Sequence, residues 1–201
     1  MQVRSEPRPL TANLNSAALA SDLFSVLALT GGNGHLILSA HPASQGPTPQ
    51  ALQAYRNAGA RLVVTLLPEH ETAALGLQQL KAECARSELR WERCPIQDFS
   101  APGDAFERAW STVAPDVHAL LDQGAAVVLH CRAGLGRTGT VAARVLMERG
   151  APVQQALDQV RRIRPGSIET SPQESYLRAL AASLRRQQAN SHVGTPATRD
   201  E

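Results

Sequence analysis

The order of hydrophobic and polar positions along the chain predicts alternating strands and helices. Apolar, β-branched runs of about four to eight residues that end at polar or turn-forming residues are typical of buried strands. Such runs predict strands at His35 to Ser39, Arg61 to Leu67, Leu89 to Ile96 and Ala125 to His130. Because strands that alternate with helices favour a parallel sheet, the pattern predicts an α/β fold with a single central, mostly parallel sheet flanked by helices.

The helices are predicted by apolar positions three and four residues apart. The clearest stripe consists of Phe106, Trp110, Val113, Val117 and Leu120. Pro115 lies inside this stripe and is a candidate break, because proline cannot donate the helical hydrogen bond. Further helices are predicted from Arg137 through Leu146, from about Val153 to Ile163 and from Ser171 to Arg186.

Composition favours one domain with polar ends. Residues 1–30 are rich in Ser, Ala, Asn and Pro, and residues 188–201 are polar, so we expect both to be loosely ordered around a domain at 31–187. The formal net charge of +2 lacks the basic field of nucleic-acid binders, and no apolar run is long enough to span a bilayer. The three cysteines fit neither a disulfide framework nor a zinc site, which predicts a reducing, cytoplasmic location.

The segment that follows the last predicted strand has the pattern of an anion-binding loop. The run from Ala125 to Leu129 should be a central strand that delivers His130 and Cys131 at its carboxyl end, where α/β sheets bind ligands. Gly134 and Gly136 permit a tight loop with converging backbone N–H groups. The next helix directs its positive N-terminal end at the same point. The segment therefore predicts a site for a phosphate dianion.

The same loop contains a nucleophile and a cation. The helix terminus favours the thiolate form of Cys131, so the nucleophile coincides with the anion site. The planar guanidinium of Arg137, six residues later, can contact two phosphoryl oxygens in a geometry that lysine cannot reproduce. Thr138 is a candidate to stabilise the sulfur as it leaves, and His130 is a candidate to brace the loop by hydrogen bonds.

The pattern of His130 and Cys131, five further residues, and Arg137-Thr138-Gly139 resembles the signature of protein tyrosine phosphatases. The fuller segment His-Cys-Arg-Ala-Gly-Leu-Gly-Arg-Thr-Gly-Thr is similar to the compact dual-specificity members. The resemblance extends over about residues 30–187, and with the segments at 63–71, 95–102 and 164–174 it is similar to the kinase-associated phosphatase branch.

This resemblance implies a dual-specificity phosphatase-like fold and a phosphoric monoester hydrolase without metal or organic cofactor. The reaction would pass through a phosphocysteine intermediate. It implies protein phosphotyrosine as substrate, with phosphoserine and phosphothreonine as further candidates. The implied phosphate-binding residues are Arg132, Ala133, Gly134, Leu135, Gly136 and Arg137.

The mechanism also needs a general acid on a movable loop upstream of the nucleophile. Asp98 fits this role best, because it follows a predicted strand at the point where the resemblance implies the catalytic aspartate; Asp104 is the fallback. Gln173 lies in a segment that closes over the site in related enzymes, so its amide is a candidate to orient the hydrolytic water. The segment from Glu69 to Glu71 follows a strand on the same edge, and fits either the rim of the pocket or a solvated loop.

Several other functions remain open or fail on the sequence. The glycines at 134, 136 and 139 also match the dinucleotide-binding fingerprint, but the second strand and acidic residue about twenty positions on are missing. A phosphatase of inositol phosphates or other small or lipid phosphoesters is the leading alternative, because Arg132 adds a basic residue inside the loop. A non-catalytic phosphoprotein-binding module would lack the acid or the nucleophile. The sequence leaves the oligomeric state open.

Overall fold

The computed structural model of the protein describes residues 24–29 and 34–193. Its strands are β1 Phe24–Ala28, β2 His35–Ser39, β3 Ala60–Thr65, β4 Arg90–Arg93 and β5 Ala126–His130. They form one sheet in the order β1-β2-β5-β3-β4. β2, β5, β3 and β4 run parallel to one another, whereas β1 pairs antiparallel with β2. The prediction of a central, mostly parallel sheet is therefore confirmed.

Helices cover this sheet in two groups. Within the part of the chain that the structure describes, they are α1 Thr48–Asn57, α2 Glu69–Ala74, α3 Leu80–Arg86, α4 Asp104–Asp122, α5 Gly136–Glu148, α6 Val153–Ile163 and α7 Ser171–Val193. α1 and α3 pack on β3 and β4, whereas α4, α5 and α6 pack on β5, β2 and β1, and α7 packs on α5 and α6. Every residue of β5 is buried, which explains why its sequence is apolar throughout.

The structure corrects three boundaries. Phe24–Ala28 was predicted to be loosely ordered but is strand β1, because pairing with β2 satisfies its backbone. α7 continues to Val193, beyond the predicted domain end at 187. α4 runs unbroken through Pro115, so the candidate break is wrong: Ser111, whose carbonyl loses its helical partner, is exposed and accessible to water. The remaining residues predicted to be loosely ordered, 1–23, 30 and 194–201, lie outside the described residues.

The sequence analysis also missed the short helices α2 and α3 and the helix α1. None of the helices that the structure describes is long and apolar enough to cross a membrane.

The site is positioned by the carboxyl ends of three neighbouring strands. Thr65 of β3 is in register with His130 of β5 on one side and with Arg93 of β4 on the other. The loops that follow these strands therefore leave the sheet at one edge, where parallel sheets bind ligands. They contain the cysteine at 131, the acidic residues of α2 and the aspartate at 98.

Candidate active site

The loop from Cys131 to Arg137 wraps around the sulfur of Cys131. Cys131 is 3% exposed, and the backbone N–H of Gly134 donates to its Sγ at 3.2 Å. Gly134 has a φ of +75°, and a Cβ there would lie 2.4 Å from the carbonyl group of Ser39. Only glycine fits at this point, because the backbone is left-handed and the end of β2 presses against the loop.

The carbonyl oxygens of the loop are bonded on its outer side. The backbone N–H of His41 donates to the oxygen of Arg132 at 3.2 Å. The guanidinium of Arg164 donates to the oxygens of Gly134 at 2.6 Å and Ala133 at 3.1 Å. In a planar trans peptide the N–H points opposite to the C=O, so the amides that follow these carbonyls point inward. The loop is thus a ring of inward N–H groups with the sulfur at its floor.

Arg137 closes one side of this ring. Its Nη1 and Nη2 donate to the two carboxylate oxygens of Glu71 at 2.7 and 3.0 Å, and Nη1 also donates to the carbonyl of Ile96 at 3.1 Å. Nη2 lies 3.0 Å from Oδ1 of Asp98. Burial alone would lower the pKa of Arg137, but the hydrogen bonds with Glu71 and the charges of Cys131, Glu71 and Asp98 outweigh it and raise that pKa. The guanidinium stays charged.

These contacts leave a defined edge of the Arg137 guanidinium for an oxyanion. Glu71 occupies the edge between Nη1 and Nη2, and Nη1 donates its other hydrogen to the carbonyl of Ile96. Nε has no partner among the residues that the structure describes. The pair formed by Nε and Nη2 is therefore the two-pronged edge that can bind two phosphoryl oxygens, once Asp98 leaves Nη2.

Asp98 lies on the segment between β4 and α4, with its side chain 45% exposed. Its Oδ1 accepts a hydrogen bond from the N–H of Phe99 at 3.1 Å. Phe99 has a φ of +54° and is 64% exposed, so this loop presents an aromatic ring to solvent beside the carboxylate. The fallback candidate, Asp104, is the first residue of α4. Asp98 is the carboxylate of this segment that contacts Arg137.

Gln173 is 1% exposed and lies beside the loop. Its Oε1 accepts from the backbone N–H groups of Glu169 and Thr170, and its Nε2 donates to the carbonyl of Ser100 at 3.3 Å. A Cβ at Gly136 would lie 3.0 Å from its Nε2. The side chain thus joins the segment before α7 to the loop that contains Asp98, and its role in orienting water stays a prediction.

The residues on either side of the loop are buried. His130 is fully buried, with Nδ1 3.3 Å from the carbonyl of Cys131 and Nε2 2.7 Å from Oγ1 of Thr65. Burial lowers the pKa of His130 to about 4, so its ring is neutral at pH 7. Thr138 is also fully buried, and its Oγ1 has no hydrogen-bond partner within the described ranges. A free hydroxyl at the start of α5 is what the predicted contact with the departing sulfur requires.

The sequence analysis missed two residues and left a third undecided. Glu71, which holds Arg137, came from a segment that fitted a pocket rim and a solvated loop equally well. Arg164 belongs to a segment that supported the resemblance, but no role was assigned to it. His41 contacts the loop through its backbone, and nothing in the sequence identified it. The sequence feature that could have identified these three residues is their position shortly after a predicted strand or helix whose end lies at the same edge of the sheet.

The other thiols and acidic groups do not form a second site. Cys84 and Cys94 are free and buried, and burial raises the pKa of each thiol to about 12. Neither is a competing nucleophile. Within residues 24–29 and 34–193, no group of three or more His, Cys, Asp or Glu residues could hold a metal ion.

Comparison with known proteins agrees with this geometry. Residues 39–151 match the family model described as "Tc-R-P: Polymorphic toxin system, DSP-PTPase phosphatase". A curated relative, the dual specificity protein phosphatase CDC14AB of Danio rerio, is 39% identical over 88 residues. That match covers 43% of this chain and 13% of the relative, so the chain corresponds to a small part of that protein.

Solved structures match over a larger share of the chain. Tk-PTP in its active form has a TM-score of 0.62 and 29% identity, over 79% of this chain and 97% of that one. Kinase associated phosphatase, with its catalytic cysteine replaced by serine, has a TM-score of 0.71 and 22% identity, over 81% of this chain and 95% of that one. The second likeness concerns the fold alone.

Proposed function

The chain belongs to the DSP-PTPase phosphatase family, a group of compact dual-specificity phosphatases within the protein tyrosine phosphatase superfamily, and on this premise we propose that it hydrolyses phosphoproteins through a phosphocysteine. One observation supports this most: the sulfur of Cys131 lies at the floor of a ring of amides, beside the guanidinium of Arg137. A nucleophile and a preorganised oxyanion site therefore share one loop.

In the first step the thiolate of Cys131 attacks phosphorus. The S–P bond forms as the P–O bond to the leaving group breaks, and the electron pair goes to the leaving oxygen. Inward amides and the Nε and Nη2 edge of Arg137 stabilise the charge on the equatorial oxygens. Asp98, in its acid form, donates the proton that the leaving oxygen requires.

In the second step a water attacks the phosphocysteine. The S–P bond breaks, the electron pair returns to Cys131, and the carboxylate of Asp98 accepts a proton from the water. The hydroxyl of Thr138 donates a hydrogen bond to the departing sulfur, and the amide of Gln173 orients the water. Inorganic phosphate then leaves.

The contact between Asp98 and Arg137 links binding to the position of the acid. In this structure Asp98 Oδ1 lies 3.0 Å from Nη2, the nitrogen that a phosphoryl oxygen needs. A dianion competes for that nitrogen and displaces Asp98, whose carboxyl group is then free to face the leaving oxygen. The partly exposed side chain and the segment between β4 and α4 allow this movement without repacking the core.

The rim of the site favours an aromatic substrate. Phe99 is 64% exposed directly after the acid, so its ring is available to contact the ring of a phosphotyrosine. The proposed substrate is therefore phosphotyrosine in a protein or peptide, with phosphoserine and phosphothreonine as further substrates of the same loop. The free thiols fit a cytoplasmic location, where reducing conditions keep Cys131 reactive.

A second candidate is hydrolysis of inositol phosphates or other small or lipid phosphoesters. It is favoured by Arg132, whose side chain is exposed beside Cys131 and forms no ion pair with any residue that the structure describes. This free cation can bind a second phosphate near the first. The binding-module alternative is less favoured, because Asp98 lies 3.0 Å from Arg137, in the loop that also contains Cys131, so the residues for both steps are present.

A kinetic panel tests the proposal. We compare kcat/KM for a phosphotyrosine peptide, a phosphothreonine peptide and an inositol phosphate in the wild type, in Cys131→Ser and in Cys84→Ser. We expect peptide turnover in the wild type and Cys84→Ser, and none in Cys131→Ser, which should still bind phosphopeptide. Turnover of the inositol phosphate alone would favour the second candidate. If the wild type binds the phosphopeptide without hydrolysing it, the proposed phosphatase activity is refuted in favour of the binding module.

A further inference from the structure

A chain of hydrogen bonds crosses the sheet and ends at the catalytic loop. The indole Nε1–H of Trp91 donates to Oγ1 of Thr65 at 2.8 Å. Oγ1 of Thr65 lies 2.7 Å from Nε2 of His130, and Nδ1 of His130 lies 3.3 Å from the carbonyl oxygen of Cys131. Thr65 and His130 are fully buried. Water therefore does not replace a contact that is lost.

The donors in this chain determine where each proton lies. An indole N–H can only donate, so the Thr65 oxygen accepts from Trp91 and has one hydrogen left to give. The carbonyl oxygen of Cys131 can only accept, so Nδ1 of His130 carries the hydrogen that bonds it. Because His130 is neutral at pH 7, Nε2 is then unprotonated and accepts the hydrogen of the Thr65 hydroxyl. Thr65, held by Trp91, thus stabilises this tautomer of His130.

The register of the sheet explains why these side chains meet. Thr65 and His130 are direct partners in parallel strands β3 and β5, so their side chains are adjacent on one face. Trp91 is on β4, paired with Val63 two residues before Thr65, and only a long side chain bridges that diagonal. The guanidinium of Arg93 lies 5.2 Å from the centre of the indole ring and holds it against the sheet.

We propose that Thr65 and Trp91 are positioning residues for the reaction, acting through the tautomer of His130 on the first peptide of the Cys131 loop. This inference rests on the proposed function, to which it adds two residues outside the signature loop. The carbonyl of Cys131, held by Nδ1–H, fixes the peptide that starts the ring of amides. If His130 switches tautomer, a lone pair faces that carbonyl and the peptide rotates.

The test removes one hydroxyl without changing the shape of the side chain. Thr65→Val leaves Nε2 without a donor in a buried place, which should lower kcat/KM roughly 10-fold to 100-fold. Thr65→Ser keeps the hydroxyl and should restore most of the activity. Trp91→Phe removes only the first donor of the chain. A fall in kcat/KM of about threefold is expected, because the Thr65 hydroxyl keeps its hydrogen bond to His130.

Alkylation of Cys131 by iodoacetamide gives a second readout that needs no phosphatase activity. Its rate is measured against pH, with the modified residue identified by mass spectrometry. Thr65→Val should shift the pH midpoint of alkylation upward, because the rotated peptide no longer directs its amides at the sulfur; Thr65→Ser should not. If the midpoint shifts but the wild type hydrolyses no phosphoester, the hydrogen-bond chain from Trp91 to Cys131 is supported and the proposed function is refuted.

Trp110→Phe is the matched control. Trp110 of α4 also donates its indole N–H, at 2.9 Å, but to Glu148 at the end of α5 and not to the Thr65–His130 pair. Its replacement should lower the melting temperature and leave the alkylation midpoint unchanged. The proposal is refuted if Thr65→Val and Thr65→Ser lose the same amount of activity. It is also refuted if Thr65→Val and Trp91→Phe both keep the wild-type midpoint of alkylation and a kcat/KM within twofold of the wild type. Should Thr65→Val fail to fold, Trp91→Phe decides on the same two readouts.

Discussion

Replacing Glu71 by glutamine tests how the protein holds Arg137. The carboxylate of Glu71 accepts two hydrogen bonds from the guanidinium, at 2.7 and 3.0 Å, and the side chains are 11% and 2% exposed. Glutamine keeps the shape and one acceptor oxygen but loses the negative charge, and its NH₂ group faces an Nη donor. Arg137 then keeps Asp98 as its remaining anionic partner.

The size of the effect follows from these contacts. Removing one partner of a buried ion pair costs about 3–5 kcal/mol, and since glutamine retains one acceptor we expect about 2–3 kcal/mol. For a domain of this size each kcal/mol lowers the melting temperature by roughly 2–4 °C, so a fall of about 4–12 °C is expected. A guanidinium displaced by about 1 Å should lower kcat/KM about 100-fold.

The assay is thermal unfolding together with kcat/KM for an aryl phosphate, measured for Glu71→Gln and for Glu69→Gln. Glu69 is on the same helix, but its side chain is 89% exposed and lies 3.6 Å from Arg93, so its replacement should change neither quantity measurably. If Glu71→Gln kept kcat/KM within threefold of Glu69→Gln, Arg137 would not depend on Glu71 for its orientation. The reasoning about its free edge would then be wrong.

Further predictions concern the acid, the clamp and the effect of pH. Asp98→Asn should lower kcat for alkyl phosphates about 10²- to 10⁴-fold and for aryl phosphates with good leaving groups much less; equal losses across a leaving-group series would remove Asp98 from the acid role. Arg137→Lys should lose most activity while still binding phosphate, because an ammonium cannot form the contact made by Nε and Nη2; normal turnover in steady-state kinetics would contradict this. Burial alone would raise the pKa of Glu148, but hydrogen bonds from His118 and Arg144 outweigh it and hold that pKa below 4.5. Its stabilising contribution is therefore complete above pH 4.5 and is lost as the pH falls through the folded-state value. The free energy of unfolding, measured in urea at a series of pH values, should fall less on acidification for Glu148→Gln than for the wild type. The same dependence on pH in both proteins would refute this role of Glu148.

The arrangement around Arg137 explains why this site needs acidic residues from distant segments. A guanidinium that is 2% exposed requires a permanent counter-charge, which Glu71 supplies on one edge. A second, more exposed carboxylate lies beside Nη2 until a dianion arrives. This carboxylate is Asp98, whose side chain is 45% exposed and can leave at a low cost.

The local sequence was sufficient to predict the loop and its chemistry. From Cys131 to Arg137, nucleophile, glycines and cation lie between a buried strand and the first turn of a helix, so their geometry depends on nearby backbone. The same holds for β2, β3 and β5, whose apolar runs are long enough to predict strands. Asp98 was predicted because it follows a predicted strand at the point where the resemblance implies the catalytic aspartate.

Tertiary structure alone decided which groups complete the site. Glu71 is 66 positions from Arg137, and Thr65 is 65 positions from His130, so their contacts exist only after the strands align in register. Strand β1 depends on pairing with β2, and α4 tolerates Pro115 where Ser111, the residue whose carbonyl loses its helical partner, is exposed. Periodicity reports how each segment is buried, but the partner of a buried charge is determined by how the segments pack.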